Sequence, residues 1–301
     1  MTIDSAAASA FEIEIADLRR PNNGHAPVAA FTVDVEDWYQ SCVDFDAPIT
    51  ERVVRNVDRV LTALEECGVK ATFFVQGLVA ERFPELVMEL VSQGHEVQSH
   101  GYSHRPLFEM TPRALRDELE RARQTVEDAS GTQVYAFRAQ DFSIMAGNLW
   151  ALETLAEAGF MVDSSIFPMR ARRYGIVGWE LAPHRIGLAN GASLLEVPVA
   201  VWQVRRWRLP VAGGGYFRVL PGALLERALR AVVADNRPPV VYCHPYEFNP
   251  DELAEYRATV PTSVRWSQSA GRRSLVKRVR ALLSQIAFGR FDDVLTAWGL
   301  R

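Results

Sequence analysis

Two short stretches of the chain concentrate residue types that do chemistry. SHGYSH, at 99–104, places His100 and His104 four residues apart, and TVDVED, at 32–37, ends an apolar run on Asp34, Glu36 and Asp37. Imidazoles at that spacing lie on one side of a helical turn or tight loop, close enough to share a cation. In an extended chain Asp34 and Glu36 share one face, and Asp37 follows as the chain turns. Carboxylates beside an apolar run are costly to desolvate, so they need a cation, hydrogen bonds or water. Two histidines and one carboxylate with an open position for water match the pattern of catalytic zinc sites, and a second carboxylate alongside could take a proton from that water. Each stretch alone has a plainer reading, as surface histidines or as acids capping a strand end in a solvated loop.

Three further residues extend the pattern. Arg138, in FRAQDFSI, could orient Asp34 and keep it ionised through its opposite charge. Its plainer role is an ordinary surface ion pair. His244, in YCHPYEF, could act as a general acid toward a leaving amine, and Asp163, in FMVDS, is placed to support it. A hydrogen-bonded core histidine is the alternative for His244. His95 reads as structural, His25 and His184 show no partner, and Glu196 in LLEVP either lines a groove or ends a strand.

The elements that would hold these residues alternate. Strands are predicted at 27–33, 71–77, 95–99, 135–139, 160–164 and 239–244, and helices at 50–67, 79–93, 111–128, 147–158, 221–235 and 271–286. Thr111 and Pro112 mark one helix start, and Gly68, Gly94 and Gly159 mark helix ends. Such alternation indicates an α/β protein with a parallel sheet or barrel. Residues 1–27 read as a flexible leader and 166–220 as an insertion of loops and short strands. Asp34, His100, Arg138, Asp163 and His244 each fall at the C-terminal end of a predicted strand, the end at which parallel barrels assemble active sites.

The 301 residues are 48% apolar with a net charge of -4, ordinary for a globular protein and without the basic footprint of a nucleic-acid binder. Cys42, Cys67 and Cys243 form no CxxC pair, which points away from a disulfide framework or thiolate zinc site and toward buried or incidental thiols. The N-terminus lacks the basic start and apolar stretch of a signal peptide, and no apolar run is long enough to span a membrane. A cytoplasmic location is therefore expected, with peripheral attachment through a partner still open.

TVDVED, SHGYSH, FRAQDFS, VDSS and YCHP, in that order, resemble the motifs of the NodB-type polysaccharide deacetylases, carbohydrate esterase family 4, over about residues 28–295. DVEDWYQ and GGGYFRVLP are most similar to a cytoplasmic subgroup associated with exosortase-type exopolysaccharide loci, which carries its own C-terminal extension. The resemblance implies a deformed (β/α) barrel of about seven strands, a divalent metal that is usually zinc, and hydrolysis of N-acetyl groups on an amino sugar or saccharide chain. By position it implies Asp34 as general base, His100 and His104 as metal ligands, Arg138 as the residue steadying the base, His244 as general acid and Asp163 as its support. Val35 stands where the family's commonest motif has a second, metal-binding aspartate. The carboxylate ligand is then Glu36, favoured by strand alternation, or Asp37 through a bulge. Gln140 replaces a proline frequent in relatives, which bears on the substrate groove; Phe142 beside it, and Trp38, Tyr39, Trp202 and Tyr216, are candidates for sugar contact, although burial in the core is the commoner fate of aromatics. Two other readings are a hydrolase of cyclic amides, as in metal-free relatives, and a catalytically silent carbohydrate-binding protein.

Overall fold

The structure is a computed structural model that describes residues 11–21, 26–171 and 173–301. Its strands are β1 (Glu12–Ile15), β2 (Ala29–Val35), β3 (Thr72–Val75), β4 (Glu96–Ser99), β5 (Ala136–Phe137), β6 (Val162–Asp163), β7 (His184–Gly187), β8 (Ser193–Glu196), β9 (Val201–Val204), β10 (Trp207–Pro210), β11 (Val240–Cys243) and β12 (Phe288–Gly289). The main sheet runs β1-β7-β8-β6-β5-β4-β3-β2-β11, with β12 also on β2. From β8 to β11 all pairings are parallel, and β7 and β1 add an antiparallel edge. β2 is buried along its whole length, as a strand covered on both faces must be, which is why it reads as a continuous apolar run.

The expected seven-stranded parallel array is present, but the barrel is open. β8 and β11 form no ladder; Ala200 N donates to Val240 O at 2.8 Å, Tyr242 N donates to Ala212 O at 2.8 Å, and Gly213 bridges to Tyr242. Pro198, two residues past the end of β8, has no N–H for a ladder, so the chain leaves the sheet there. The stretch 166–220 supplies β7 and β8 to the main sheet, then the β9–β10 hairpin and the helix Gly214–Val219. Not all of 1–27 is without structure, since β1 pairs with β7; residues 1–10 and 22–25, His25 among them, lie outside the described residues.

The helices pack as their sequence periods dictate. Arg52–Glu66 buries Val53, Val57, Val60, Leu61 and Leu64, one apolar stripe. Pro112–Ser130 is capped by the Thr111 side chain, which accepts from Ala114 N at 3.3 Å, and ends at Gly131 with φ of 66°, a left-handed turn that glycine adopts without penalty. His95 is structural, its Nδ1 accepting from Ala71 N at 3.1 Å. No helix among the described residues is long and apolar enough to cross a membrane.

The C-terminal helix Phe291–Ala297 plugs the N-terminal end of the sheet. Phe291, Leu295 and Trp298 are fully buried; Phe291 N donates to Thr72 Oγ1 at 2.7 Å and Trp298 Nε1 to Val28 O at 3.2 Å. These contacts anchor the start of the strand whose far end carries Asp34 and Glu36. Trp298→Ala should therefore lower the unfolding free energy by about 3–5 kcal/mol, the usual cost of deleting a buried large aromatic side chain. Denaturant titration checks this, and a loss below about 1 kcal/mol would mean that the C-terminal segment is not part of the core.

Candidate active site and metal centre

The parallel sheet brings the strand ends together. Asp34 is the last residue but one of β2 with Glu36 just beyond its end, His100 follows β4, Arg138 follows β5, Asp163 ends β6 and His244 follows β11. Asp34, Glu36, His100, His104 and His244 all face one cavity of about 160 Å³.

Glu36, His100 and His104 form a compact cluster. Their ligand atoms all lie within 4.8 Å of one another and all three residues are buried. Glu36 Oε2 is 3.4 Å from His100 Nε2 and also contacts His104 Nε2. His100 Nδ1 lies 2.8 Å from the Arg138 carbonyl; donating there leaves the lone pair of Nε2 aimed at the cluster. The two histidines come from a loop rather than a helix. Gly101 and His104 have φ of 72° and 66°, and Glu118 clamps the loop by accepting from Ser103 N at 2.6 Å and Tyr102 N at 3.1 Å. A left-handed backbone at a residue as bulky as histidine is strained, and such strain persists where surrounding contacts over-determine it. Burial pushes the Glu36 carboxyl up, but the imidazoles of His104 and His100 reverse this and hold it well below its usual range. Buried Glu36 Oε2 makes no regular hydrogen bond. A carboxylate and two imidazoles converging with their lone pairs on one point fit a divalent cation.

Asp37 lies outside the cluster. Its Oδ1 accepts from Tyr39 N at 3.0 Å and Gln40 N at 3.5 Å, capping the helix Trp38–Cys42, and its Oδ2 accepts from Thr50 N at 3.0 Å. Of the two carboxylates left open by the sequence, only Glu36 joins the histidines; the chain turns into a helix at Asp37 instead of bulging.

Asp34 is held by Arg138. Nη1 donates to Asp34 Oδ1 at 2.8 Å and to Thr32 Oγ1 at 2.6 Å, Nη2 donates to Ser164 Oγ at 3.2 Å, and the guanidinium lies 4.2 Å from the Phe74 ring centre. Both members of the pair are buried, which rules out the surface ion pair considered for Arg138.

His244 has a different partner from the one expected. Asp163 does not reach it; the carboxylate at its Nδ1 is Glu247, at 3.3 Å, which also accepts from His244 N at 3.0 Å. Arg218 Nε lies 3.3 Å from the other oxygen of Glu247. A Cβ on Gly214 would stand 1.8 Å from Glu247 Oε2, and one on Gly213 would stand 2.7 Å from Tyr242 Oη, so the glycine run exists to let these groups approach the backbone. Burial pushes His244 down; the bond to Glu247 and the negative charge of Glu36 outweigh it and hold the imidazole up at about 9. Glu247 was legible only as H-x-x-E at the start of a helical turn, a capping-box spacing.

Asp163 instead sits opposite Glu196 on the neighbouring strand, both fully buried. Ser165 Oγ donates to Asp163 and Ile166 N to Glu196 Oε1 at 3.2 Å, while Asp163 Oδ2 and Glu196 Oε2 have no other partner. Burial raises both carboxyls, and the Asp163 charge raises Glu196 further. Two buried like charges cannot both ionise, so the pair keeps a proton.

The aromatic candidates divide. Phe142 lines the cavity, wedged between Phe167, Tyr174 and Tyr242 at 5.0–5.5 Å between ring centres, with φ of 48°. Trp38 is buried in a small cluster with Tyr246 and Leu253, and Tyr39 stacks on Tyr256 at 5.0 Å. Trp202 packs against the main core from β9, and Tyr216 is half-buried on the helix Gly214–Val219. Gln140 is buried beneath Gly101 and donates to Arg105 O, so it braces the histidine loop. Residues of the cavity not anticipated from sequence include Tyr246, which donates to Glu36 Oε1 at 3.1 Å and stacks on His244 at 4.9 Å, Tyr174, Asp141 with Arg173, and the exposed Cys42.

Two expectations follow from this geometry. Glu36→Gln should abolish tight binding of a divalent metal by calorimetry, whereas Asp37→Ala should keep it and lose about 1 kcal/mol of stability, the worth of an N-cap; the opposite pattern would reverse the assignment. A carboxyl raised by folding stabilises the native state most at low pH and loses that contribution as pH climbs from the unfolded range, about 4, through the folded value. Thermal unfolding between about pH 5 and 8 should therefore show a shallower loss of stability with rising pH in Glu196→Gln than in the parent. Equal slopes would mean that the Asp163–Glu196 pair holds no extra proton.

Residues 24–152 match the family model "Polysaccharide deacetylase", and residues 164–296 match a "Domain of unknown function (DUF3473)". Among curated relatives, the peptidoglycan-N-acetylglucosamine deacetylase of Bacillus cereus is 30% identical over 96 residues, 32% of this chain and 35% of the relative. A chitooligosaccharide deacetylase of Bradyrhizobium sp. is 31% identical over 118 residues, 39% of this chain and 53% of the relative. The chain thus spans between about a third and a half of the length of these relatives. Two solved structures share the fold over nearly the whole chain: a candidate polysaccharide deacetylase of Mycobacterium smegmatis (TM-score 0.56, 22% identity, 92% of each chain) and the allantoinase PuuE (TM-score 0.60, 15% identity, 93% of each chain). Asp34, Glu36, His100, His104 and Arg138 all fall within the first stretch, the one that matches the polysaccharide deacetylase model.

Proposed function

We propose that the protein is a metal-dependent hydrolase that removes N-acetyl groups from an amino sugar within a saccharide, with Glu36, His100 and His104 holding the metal. The observation that carries this reading is the meeting of three unlike groups at one cavity: the Glu36–His100–His104 cluster, the Asp34–Arg138 pair and the His244–Glu247 pair. A divalent cation bound there would supply Lewis acidity to water and to the acetyl carbonyl. Zinc suits a donor set of two imidazoles and one carboxylate.

The protein's own groups would handle the protons. Asp34, oriented by its bond from Arg138, takes the proton of the attacking water. His244, held up at about 9, is protonated at neutral pH and gives its proton to the departing amine nitrogen. Glu247 fixes the ring so that Nε2 faces the cavity, and Arg218 fixes Glu247. The supporting role first assigned to Asp163 passes to Glu247. His244 and Glu247 come from the stretch matched by the domain of unknown function, so both matched stretches would be needed for activity.

The DVEDWYQ and GGGYFRVLP stretches favour a cytoplasmic enzyme of exopolysaccharide formation within this class. Hydrolysis of a cyclic amide without metal is disfavoured by the intact histidine pair, and activity that survives a chelator would restore it. A silent saccharide binder would need no paired acid and base. In an acetate-release assay on N-acetylglucosamine oligomers, Asp34→Asn should be inactive while still binding metal, and Glu247→Gln should fall about 10- to 100-fold. Full activity in the Asp34 variant would end this mechanism.

A further inference from the structure

We propose that the groove on the outer face of the helix Thr262–Ser269 is a distal subsite for a saccharide chain, so that the substrate is an oligomer or polymer rather than a free sugar or dimer. This deepens the deacetylase reading and rests on it.

The helix has no buried residue. Thr262, Arg265, Trp266 and Ser269, at the three- and four-residue steps of one helical face, line a groove of about 320 Å³ with Asp251 and Arg257 on its other wall. Trp266 is 79% exposed. A solitary exposed aromatic is ordinary on a protein surface; this one stands on a groove that sets apolar Pro250, Leu253 and Ala254 beside the hydrogen-bonding side chains of Asp251, Arg257 and Arg265. The flat indole offers an apolar face to the C–H face of a pyranose ring, while Asp251 and the arginines supply acceptor and donors for its hydroxyls. Arg265 is already laid along the groove, donating from Nε to Val260 O and from Nη2 to Thr262 Oγ1, both at 3.2 Å.

The same helix forms the rim of the catalytic cavity. Gln268 lines that cavity, two residues from Trp266 and so on the opposite face of the helix. Its carbonyl accepts from Arg218 Nη1 and, at 2.7 Å, from Arg272 Nε. Arg218 is the partner of Glu247, and Arg272 donates to the carbonyl of Tyr246. The groove is thereby fastened to the groups that orient His244. A helix with its side chains is about 10 Å across, so a single ring in the cavity cannot touch Trp266, but a chain crossing the helix can.

The test compares acetate release from β-1,4-linked N-acetylglucosamine oligomers, dimer to hexamer, by the parent, Trp266→Ala and, as a surface control, Trp207→Ala on the exposed β9–β10 hairpin. Trp266→Ala should raise KM for the hexamer about fivefold or more, as loss of a single anchoring tryptophan does, and leave the dimer unchanged. Trp207→Ala should alter neither. An equal effect on dimer and hexamer, or none on either, overturns the subsite. If the parent releases no acetate from any oligomer, the deacetylase reading fails, and calorimetric binding of the hexamer then decides the groove: weaker binding in Trp266→Ala supports it, unchanged binding or none overturns it.

Discussion

Arg138 carries a full positive charge with no access to water, and the way that charge is neutralised organises the site. Its guanidinium joins Asp34 and Thr32 on β2 to Ser164 beyond β6, while its carbonyl receives His100 from the end of β4. One residue therefore ties four neighbouring strands at the end where the cavity opens. Removing one partner of a buried ion pair typically costs about 3–5 kcal/mol, because the other charge is left without compensation. The geometry of Asp34 and of the Glu36–His100–His104 cluster is thus coupled to the folding of the sheet.

Around this pivot the site divides into two electrostatic halves. On one side a carboxylate and two imidazoles converge in a buried cluster that calls for a cation. On the other, His244 is made basic by Glu247, whose second oxygen is held by Arg218. Behind them, Asp163 and Glu196 keep a proton and so add less negative charge to the interior than their number suggests. The buried carboxylates of the site are compensated in several ways: Asp34 by a guanidinium, Asp37 by a helix N-terminus, Glu36 and Glu247 by imidazoles, and Asp163 with Glu196 by a shared proton.

The open sheet serves this division. The chain leaves β8 at Pro198, runs out through the hairpin, and returns at Gly213–Gly214 beside β11. The return delivers Arg218 to Glu247 and lets Tyr242 and Glu247 pack against bare backbone. A continuous ladder between β8 and β11 would leave no space for that approach. The same route fastens the helix Thr262–Ser269 to the cavity rim through Arg218 and Arg272.

Much of this was written in local pattern. The strand–helix alternation, the glycine and proline punctuation and the placement of Asp34, His100, Arg138 and His244 at strand ends follow from periodicity and backbone chemistry, which act over a few residues. The two-residue strand period also separated Glu36 from Asp37, although only the capping bonds to Tyr39, Gln40 and Thr50 removed Asp37 from the cluster with the histidines. What sequence could not decide was which distant groups share a contact. Asp163 ended a strand as expected, yet its partner is Glu196, which the sequence offered as a strand end without saying which strand it would lie beside. Glu247 acquires its role only when the fold sets Gly214 and Arg218 against it, and Trp38 is buried in a small cluster with Tyr39 packed on it because apolar area alone does not specify a neighbour. Local residue pattern sets where the chain is extended, helical or turned; pairing of buried charges depends on which strands become adjacent, and that adjacency exists only once the sheet has formed.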